Sequence, residues 1–301
     1  MKSYSPARAV LTPEEQATFH RDGFVFRRGF FSQQELAPLI DACRADPDVD
    51  GSVVGIADSQ GNVQEVVTWT DLTDGEFLSD VIRLERIVDA TEQLLGQPIY
   101  HWHSKLSMKR PGALGRWDWH QDYAYWYHEG CLYPDMLTVT IALDRCDESN
   151  GCLRLIEGSH RLGRIEHGKV GQAVGVDQER LALIEQRHKV VSCEMEPGDA
   201  VFFHANTLHA SGPNVSDRPR TLLHLSYNTV ANSPFVADGA GQDHHKYHGP
   251  LVKLPDDHLA RRAWKTLITG QLFWSTGGGA GRAKGYGYTL LRPAKKAVAV
   301  G

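Results

Sequence analysis

Between Ile99 and Thr229 the chain takes on a strand texture, and this stretch limits the available folds more than any other feature. Leu137-Thr-Val-Thr-Ile-Ala-Leu143 is dense in β-branched residues, and Gly151-Cys-Leu-Arg-Leu-Ile156 alternates apolar and polar. Val190-Val-Ser-Cys193 reads as another short strand. Pro197-Gly198 marks a turn before Ala200-Val-Phe-Phe203, and Thr221–Tyr227 supplies a further strand. Residues 177–187 interrupt as a short helical insert. Many short strands with turn punctuation make a sandwich or jelly roll, here with helices packed outside.

The preceding segment carries helix signals. Thr12-Pro13-Glu14-Glu15 has the capping-box pattern, with proline at the first helical position. Asp22-Gly23 ends that helix, and Phe24-Val25-Phe26 follows as a short strand. Ser32-Gln-Gln-Glu35 repeats the capping pattern ahead of an apolar stripe at Leu36, Leu39, Ile40 and Cys43. The spacing predicts a third helix from Ser79 to Leu95, closed by Gly96. The expectation is one domain over residues 1–301. A helical layer covers about 1–98, the jelly-roll core about 99–235, and a C-terminal helix with a glycine-rich tail about 236–301.

Composition narrows the setting. A chain of 301 residues buries a large core without disulfides, and its five cysteines are scattered with no CxxC pair. That usage fits reduced thiols and a cytoplasmic location. A net charge of −5 argues against a nucleic-acid partner. No signal peptide and no run of about 20 apolar residues is present, so no membrane partner is expected. A monomer or homodimer fits equally.

The informative chemistry begins at Trp119-His120-Gln121-Asp122. On an extended segment His120 and Asp122 point the same way, so one strand can present both to a single ion. A second imidazole is available at His209, in Phe203-His-Ala-Asn-Thr-Leu-His209-Ala-Ser-Gly-Pro-Asn. Two histidines and one carboxylate on one face leave three coordination positions open, the arrangement of non-haem Fe(II) oxygenases. Eleven residues past His209 stands Arg220, which can take the far carboxylate of a dicarboxylate co-substrate in a two-pronged grip. Metal chelation at one end and an arginine at the other measure out 2-oxoglutarate.

These residues sit in a longer ordered set: "DGFVFRRGFFSQQEL", "HSKLSMKRPG", "WHQDYAYW", "SNGCLRLIEGSHRLG", "EPGDAVFFHANTLHASGPN" and "RPRTLLHLSYNTVANSPF". With that set the chain resembles the phytanoyl-CoA dioxygenase superfamily of Fe(II)/2-oxoglutarate oxygenases, and locally its ectoine-hydroxylase branch. The resemblance implies a double-stranded β-helix, a cupin-like jelly roll. It implies Fe(II), 2-oxoglutarate and O₂ as cofactor and co-substrates, with His120, Asp122 and His209 as iron ligands and Arg220 on the 2-oxoglutarate carboxylate. Ser107 falls where that branch has an asparagine contacting the co-substrate, and Thr138 where it has a pocket serine. Trp126 matches a tryptophan that packs on bound substrate. Gln121 matches the middle residue of the family's HQD, where ectoine hydroxylases carry serine, and is expected to line the substrate side. Asp122 also sets the chain apart from halogenating relatives, which carry a small residue there.

The function expected on these grounds is hydroxylation of an unactivated C–H in a small polar metabolite, such as an amino acid, with release of succinate and CO₂. Three rivals stand beside it: a silent metal- and acid-binding jelly roll, a cupin isomerase that needs no Arg220, and a hydroxylase of an acyl-CoA or larger natural product. His204, beside a strand, reads as a hydrogen-bonded core group, and Arg218 as solvent-facing. The tract Asp243-His-His-Lys-Tyr-His248 lacks strand support and is not expected to bind metal.

Overall fold

The strand-rich core forms two antiparallel sheets and a small β-ribbon in the computed structural model, which describes residues 9–45, 49, 51–171, 173–235, 248–261 and 290–291. In chain order the strands are β1 (Phe24–Arg27), β2 (Val54–Ala57), β3 (Val63–Trp69), β4 (Ile99–Lys109), β5 (Trp117–His120), β6 (Met136–Ala142), β7 (Leu153–Ile156), β8 (His167–Val170), β9 (Ala173–Val176), β10 (Val190–Ser192), β11 (Ala200–His204), β12 (His209–Ser211), β13 (Arg220–Thr229) and β14 (Leu290–Leu291). The large sheet runs β1-β11-β6-β13-β4-β3-β2-β14 and the small one β10-β7-β12-β5, with β8-β9 as the ribbon. This is the jelly roll the turn spacing predicts, mainly β with helices outside.

The helices are α1 (Pro13–Asp22), α2 (Gln33–Ala45), α3 (Phe77–Val81), α4 (Glu85–Leu95), α5 (Asp122–His128) and α6 (Gln178–Glu185). Both expected capping boxes form. The Thr12 hydroxyl accepts the Glu15 N–H at 3.2 Å while the Glu15 carboxylate accepts the Thr12 N–H at 2.8 Å. Ser32 and Glu35 exchange the same pair of bonds. Gly23 closes α1 at φ 85°, a left-handed position that glycine adopts without strain.

One face of the large sheet packs under these helices. Leu106, Val139, Ile141, Phe202, Leu223 and Leu225 meet Leu36, Leu39, Phe77, Ile87 and Val88 in the main core. Because side chains alternate along a strand, the intervening residues point the other way. Those are Ser107, Lys109, Thr138, Thr140, His224, Ser226 and Arg220, and all are buried. A sheet face that is both buried and polar is expensive to build, since each group must find a partner there. Its purpose lies in the site it lines.

Two expectations need correction. The sheet does not begin near residue 99: β1 pairs with β11, and β2 and β3 extend the large sheet beside β4. The hairpin has a local cause, since Asp58 Oδ1 accepts the N–H groups of Gln60 and Asn62 in the turn between β2 and β3. The helix expected from Ser79 to Leu95 is broken into α3 and α4 at Leu84, whose backbone is extended at φ −60°, ψ 133°. There Glu85 N–H donates to the Leu254 carbonyl at 2.9 Å and Leu254 N–H to the Arg83 carbonyl at 2.8 Å, replacing helical bonds with long-range ones. The expected C-terminal helix, the glycine-rich tail and residues 243–247 of the histidine tract lie outside the described residues. Among the described residues no helix is long and apolar enough to cross a membrane.

The Pro197-Gly198 turn also carries a stability prediction. Gly198 has φ +93°, its carbonyl accepts the Phe31 N–H at 2.9 Å, and an added Cβ would lie 2.1 Å from the Phe31 carbonyl oxygen. Gly198→Ala therefore meets both a disfavoured dihedral and a backbone clash. A loss of at least about 2 kcal/mol is expected, read as a lower denaturant midpoint at unchanged slope.

Candidate active site

Strand β5 ends at His120, Gln121 stays extended at φ −109°, ψ 132°, and Asp122 opens helix α5. The extended residue between them keeps both side chains on one side, as the alternation argument requires. Directly across the small sheet, His209 of β12 pairs in register with His120. His120, Asp122 and His209 offer three ligand atoms that all lie within 4.8 Å of one another, and all three residues are buried. His120 Nε2 and His209 Nε2 stand 3.8 and 3.6 Å from Asp122 Oδ1, too far for hydrogen bonds but close enough to share an ion.

The tautomers are fixed by the backbone. His120 Nδ1 faces the Asp118 carbonyl at 2.7 Å and His209 Nδ1 faces the Thr207 carbonyl at 3.0 Å. A carbonyl only accepts, so each Nδ1 must carry the proton and each Nε2 presents a lone pair to the centre. Burial pushes the His120 pKa well below its ordinary value, and the His209 imidazole beside it pushes further in the same direction. Burial would raise the Asp122 carboxyl, but Lys105 and the imidazoles hold it well below the usual carboxylate range. Two neutral imidazoles and one ionised carboxylate are the protonation states that bind a metal. Thr138 Oγ1 donates to Asp122 Oδ2 at 3.3 Å and meets Ser226 Oγ at 2.9 Å, which steadies the carboxylate with Oδ1 toward the histidines.

Deeper in the roll, Arg220 of β13 stands opposite Lys109 of β4 in the register. Like charges directly across a strand pair repel. Arg220 is fully buried and gives Nη1 to the Ser107 carbonyl at 3.1 Å and hydroxyl at 3.3 Å. Among the described residues its Nε and Nη2 have no hydrogen-bond partner. Burial pushes its pKa down to about 10, which still leaves it cationic at neutral pH. Lys109, whose Nζ donates to the Gly115 carbonyl at 2.5 Å, is pushed down to about 6 by burial and by Arg220. No ion pair neutralises Arg220 among the described residues. Two guanidinium donors left open in a buried place fit one carboxylate.

The remaining expected residues divide. Ser107 is where it was looked for, bridging Arg220 to the Trp117 indole N–H at 3.3 Å. Thr138 reaches the metal-binding carboxylate. Trp126 sits on α5, not on a strand, and is buried among Tyr100, Trp102 and Tyr123 with its ring 5.6 Å from His103. Gln121 departs from its expected substrate-side role. Its Nε2 donates to the Gly163 and Asn206 carbonyls at 2.8 and 2.7 Å, and its Oε1 accepts the Ile165 N–H at 2.7 Å. The carboxamide is spent on loop backbone and ties two loops, at residues 163–165 and at Asn206, together behind the metal ligands.

Ser211 was missed by sequence reading. It lies two residues beyond His209 on β12, opposite Trp117, and its buried hydroxyl has no partner among the described residues. The period-two rule that paired His120 with Asp122 would have found it. Tyr125 was missed too; its ring lies 6.0 Å from those of His120 and His167. His204 makes a local bond, accepting the Asn206 N–H at 3.0 Å, and stacks near Phe19 and His160. Arg218 pairs with Asp147 at 2.7 Å on the surface.

A jelly roll holding two histidines and a carboxylate, with an uncompensated buried arginine nearby, defines the class of non-haem iron oxygenases. The chain belongs to the phytanoyl-CoA dioxygenase (PhyH) family, whose model matches residues 19–222. Curated relatives include an L-proline trans-4-hydroxylase from Streptomyces griseoviridis, 33% identical over 53% of this chain and 65% of that one. The ectoine dioxygenase of Sphingopyxis alaskensis is 30% identical over 74% of this chain and 78% of its own. Among solved structures, EctD from S. alaskensis with 2-oxoglutarate and 5-hydroxyectoine superposes with TM-score 0.66 at 23% identity, covering 84% of this chain and 91% of EctD. The 2-oxoglutarate-dependent carbocyclase SnoK from nogalamycin biosynthesis follows at TM-score 0.60 and 22% identity, covering 87% and 94%.

Proposed function

We propose that this protein is an Fe(II)/2-oxoglutarate-dependent hydroxylase of a small polar metabolite, an amino acid or a related compound. His120, Asp122 and His209 would hold the iron, and Arg220 would hold the remote carboxylate of 2-oxoglutarate. The observation that carries the reading is the pair of open, buried donors on Arg220, Nε and Nη2, in the same roll as the three ligands. A cupin isomerase would have no use for an uncompensated buried guanidinium, and a sensor that binds a small acid would release no succinate. The relatives named as hydroxylases and dioxygenases of proline and ectoine support the substrate size.

Within this reading each residue has a physical task. Asp118 and Thr207 carbonyls aim the two imidazoles, and Thr138 aims the Asp122 carboxylate. Ser107 orients the guanidinium, and the open hydroxyl of Ser211 is a further donor for the co-substrate carboxylate. Gln121 keeps the loops behind β5 closed against water. When bound, iron and 2-oxoglutarate supply the O₂-dependent oxidation that yields succinate, CO₂ and a hydroxylated product. The protein supplies geometry and a dry pocket.

The test is substrate-stimulated succinate release across candidate metabolites, with product mass measured. One succinate per product that gains 16 mass units is expected. Product formation without succinate would remove the assignment.

A further inference from the structure

Strand β4 carries a cation that the site described so far leaves idle. Val67 and Leu106 face the helices in the main core, so their neighbours Thr68 and Lys105 point the opposite way, into the roll. The two are partners in the β3–β4 register, and Lys105 faces His224 of β13 on its other side. A side-chain contact fixes where the lysine goes. Its Nζ lies over the Trp117 ring, 5.2 Å from the centroid, and that ring is 5.9 Å from the His120 imidazole. The Trp117 indole N–H in turn donates to the Ser107 hydroxyl, which also receives Arg220. Lys105 therefore stands between the metal ligands and the buried guanidinium, one same-face step of about 7 Å along β4 from Ser107.

The groups around this half-buried lysine do not take up its charge. Among the described residues no hydrogen bond or ion pair reaches Nζ. Thr68, directly across the strand pair, is buried, and its hydroxyl has no partner among the described residues either. His224 is neutral, pushed well below its ordinary value by burial and by Lys105 itself, and its Nδ1 is occupied by the Thr140 hydroxyl. Asp122 feels the lysine: burial would raise its carboxyl, and Lys105 leads the groups that hold it low. That carboxylate belongs to the metal set, however, and a bound ion would claim its charge. A lysine without a counter-charge, a buried open hydroxyl and an aromatic wall, all inside the roll, make a receptor for an anion. On the reading above, the two carboxylates of 2-oxoglutarate already go to the iron and to Arg220. The anion left to assign is the substrate's own.

We propose that Lys105, with the Thr68 hydroxyl, is a specificity-determining pair that receives a carboxylate of the substrate, so that the enzyme selects carboxylic acids of amino-acid size over their amides. This names the substrate class of the hydroxylase reading and rests on it for the reaction, though not for the binding. One same-face step further along β4 stands His103, whose ring lies 5.6 Å from that of Trp126. The body of the acid lies along that aromatic wall, with its C–H bonds toward the metal ligands.

The experiment is calorimetric binding to the full-length enzyme loaded with Fe(II) and 2-oxoglutarate under anaerobic conditions, where no turnover occurs. The probes are L-proline, L-pipecolate and L-isoleucine, each beside its own carboxamide. At least one acid should bind, and its amide should bind more weakly. Lys105→Met should weaken that acid by roughly 10- to 100-fold, the loss of a charge-assisted hydrogen bond, and erase its preference over the amide. Lys105→Arg should restore much of the preference, and Thr68→Val should cost less than Lys105→Met. 2-Oxoglutarate should bind Lys105→Met much as it binds the parent. Equal binding of an acid and its amide by the parent, a parent that binds none of the three acids, or a Lys105→Met protein that keeps the preference would each overturn the proposal. So would a Lys105→Met protein that loses 2-oxoglutarate and keeps the acid, since the lysine would then serve the co-substrate. Exposure of the bound acid to O₂ separates the two readings. Lys105-dependent binding with no succinate formed would retain the Lys105 assignment and remove the hydroxylase.

Discussion

Arg220→Ala is expected to leave Fe(II) affinity nearly unchanged and to weaken 2-oxoglutarate binding by about 2–5 kcal/mol, roughly 30- to 5,000-fold. The guanidinium is buried and has two unpartnered donors, so its loss would strand a carboxylate in a place with little water to replace it. Lys109 stands opposite but is pinned to the Gly115 carbonyl and has its charge suppressed by burial, so it cannot take over. Arg220→Lys keeps the charge and loses the fork, and a two-pronged site does not treat that exchange as conservative. Its weakening should fall between parent and alanine. Arg218→Ala is the control: its side chain pairs with Asp147 at the surface and should not affect the co-substrate. Calorimetric titration of the metal-loaded protein with 2-oxoglutarate reads all three. Should Arg218→Ala abolish binding while Arg220→Ala keeps it, the assignment is displaced by two residues. Should neither matter, 2-oxoglutarate itself has to be given up.

How far the sequence foretold this site depends on the kind of information each residue carries. His120, Asp122 and His209 were legible because a strand period of two and a donor set of two imidazoles and a carboxylate are both written locally. Arg220 was legible by its distance from His209, but the lack of a partner for Nε and Nη2 among the described residues is a three-dimensional fact. Gln121 was misplaced because a glutamine next to two ligands can turn either way, and only the carbonyls of Gly163 and Asn206 decide it. Trp126 was singled out from the sequence while its helix went unseen. Tyr-Ala-Tyr-Trp-Tyr is rich in strand-favouring aromatics, and tertiary packing against Tyr100 and Trp102 overrides that preference. The β2–β3 hairpin was passed over although Asp58–Asn62 spells a turn. The break at Leu84 could not have been read, since it depends on Leu254, far along the chain.

Asp122→Ala and His120→Ala are each expected to lower Fe(II) affinity by more than the roughly 10- to 100-fold that losing an outer hydrogen-bond partner costs a metal site. Asp122 should be the more damaging, because its carboxylate supplies the negative charge that offsets the metal between two neutral imidazoles. Both variants should still fold. The main core packs between the helices and the opposite face of the large sheet and holds no ligand residue, so the metal is not a staple. Anaerobic iron titration, with a thermal melt of the metal-free proteins, checks both points; a variant that binds iron like the parent removes that ligand. Thr138→Val should produce a smaller loss in the same assay, since it frees Asp122 Oδ2 without removing a ligand. Asp122→Gly separates hydroxylation from halogenation. It opens a coordination position for chloride, but it also leaves the Thr138–Ser226 hydroxyl pair facing the gap, where it had steadied a carboxylate. Loss of hydroxylation without chlorinated product is therefore expected by mass spectrometry in 0.1–1 M chloride, on the order of concentrations where exposed charges are strongly screened. Chlorination by the parent would overturn the hydroxylase assignment, because Asp122 occupies the position that chloride would need.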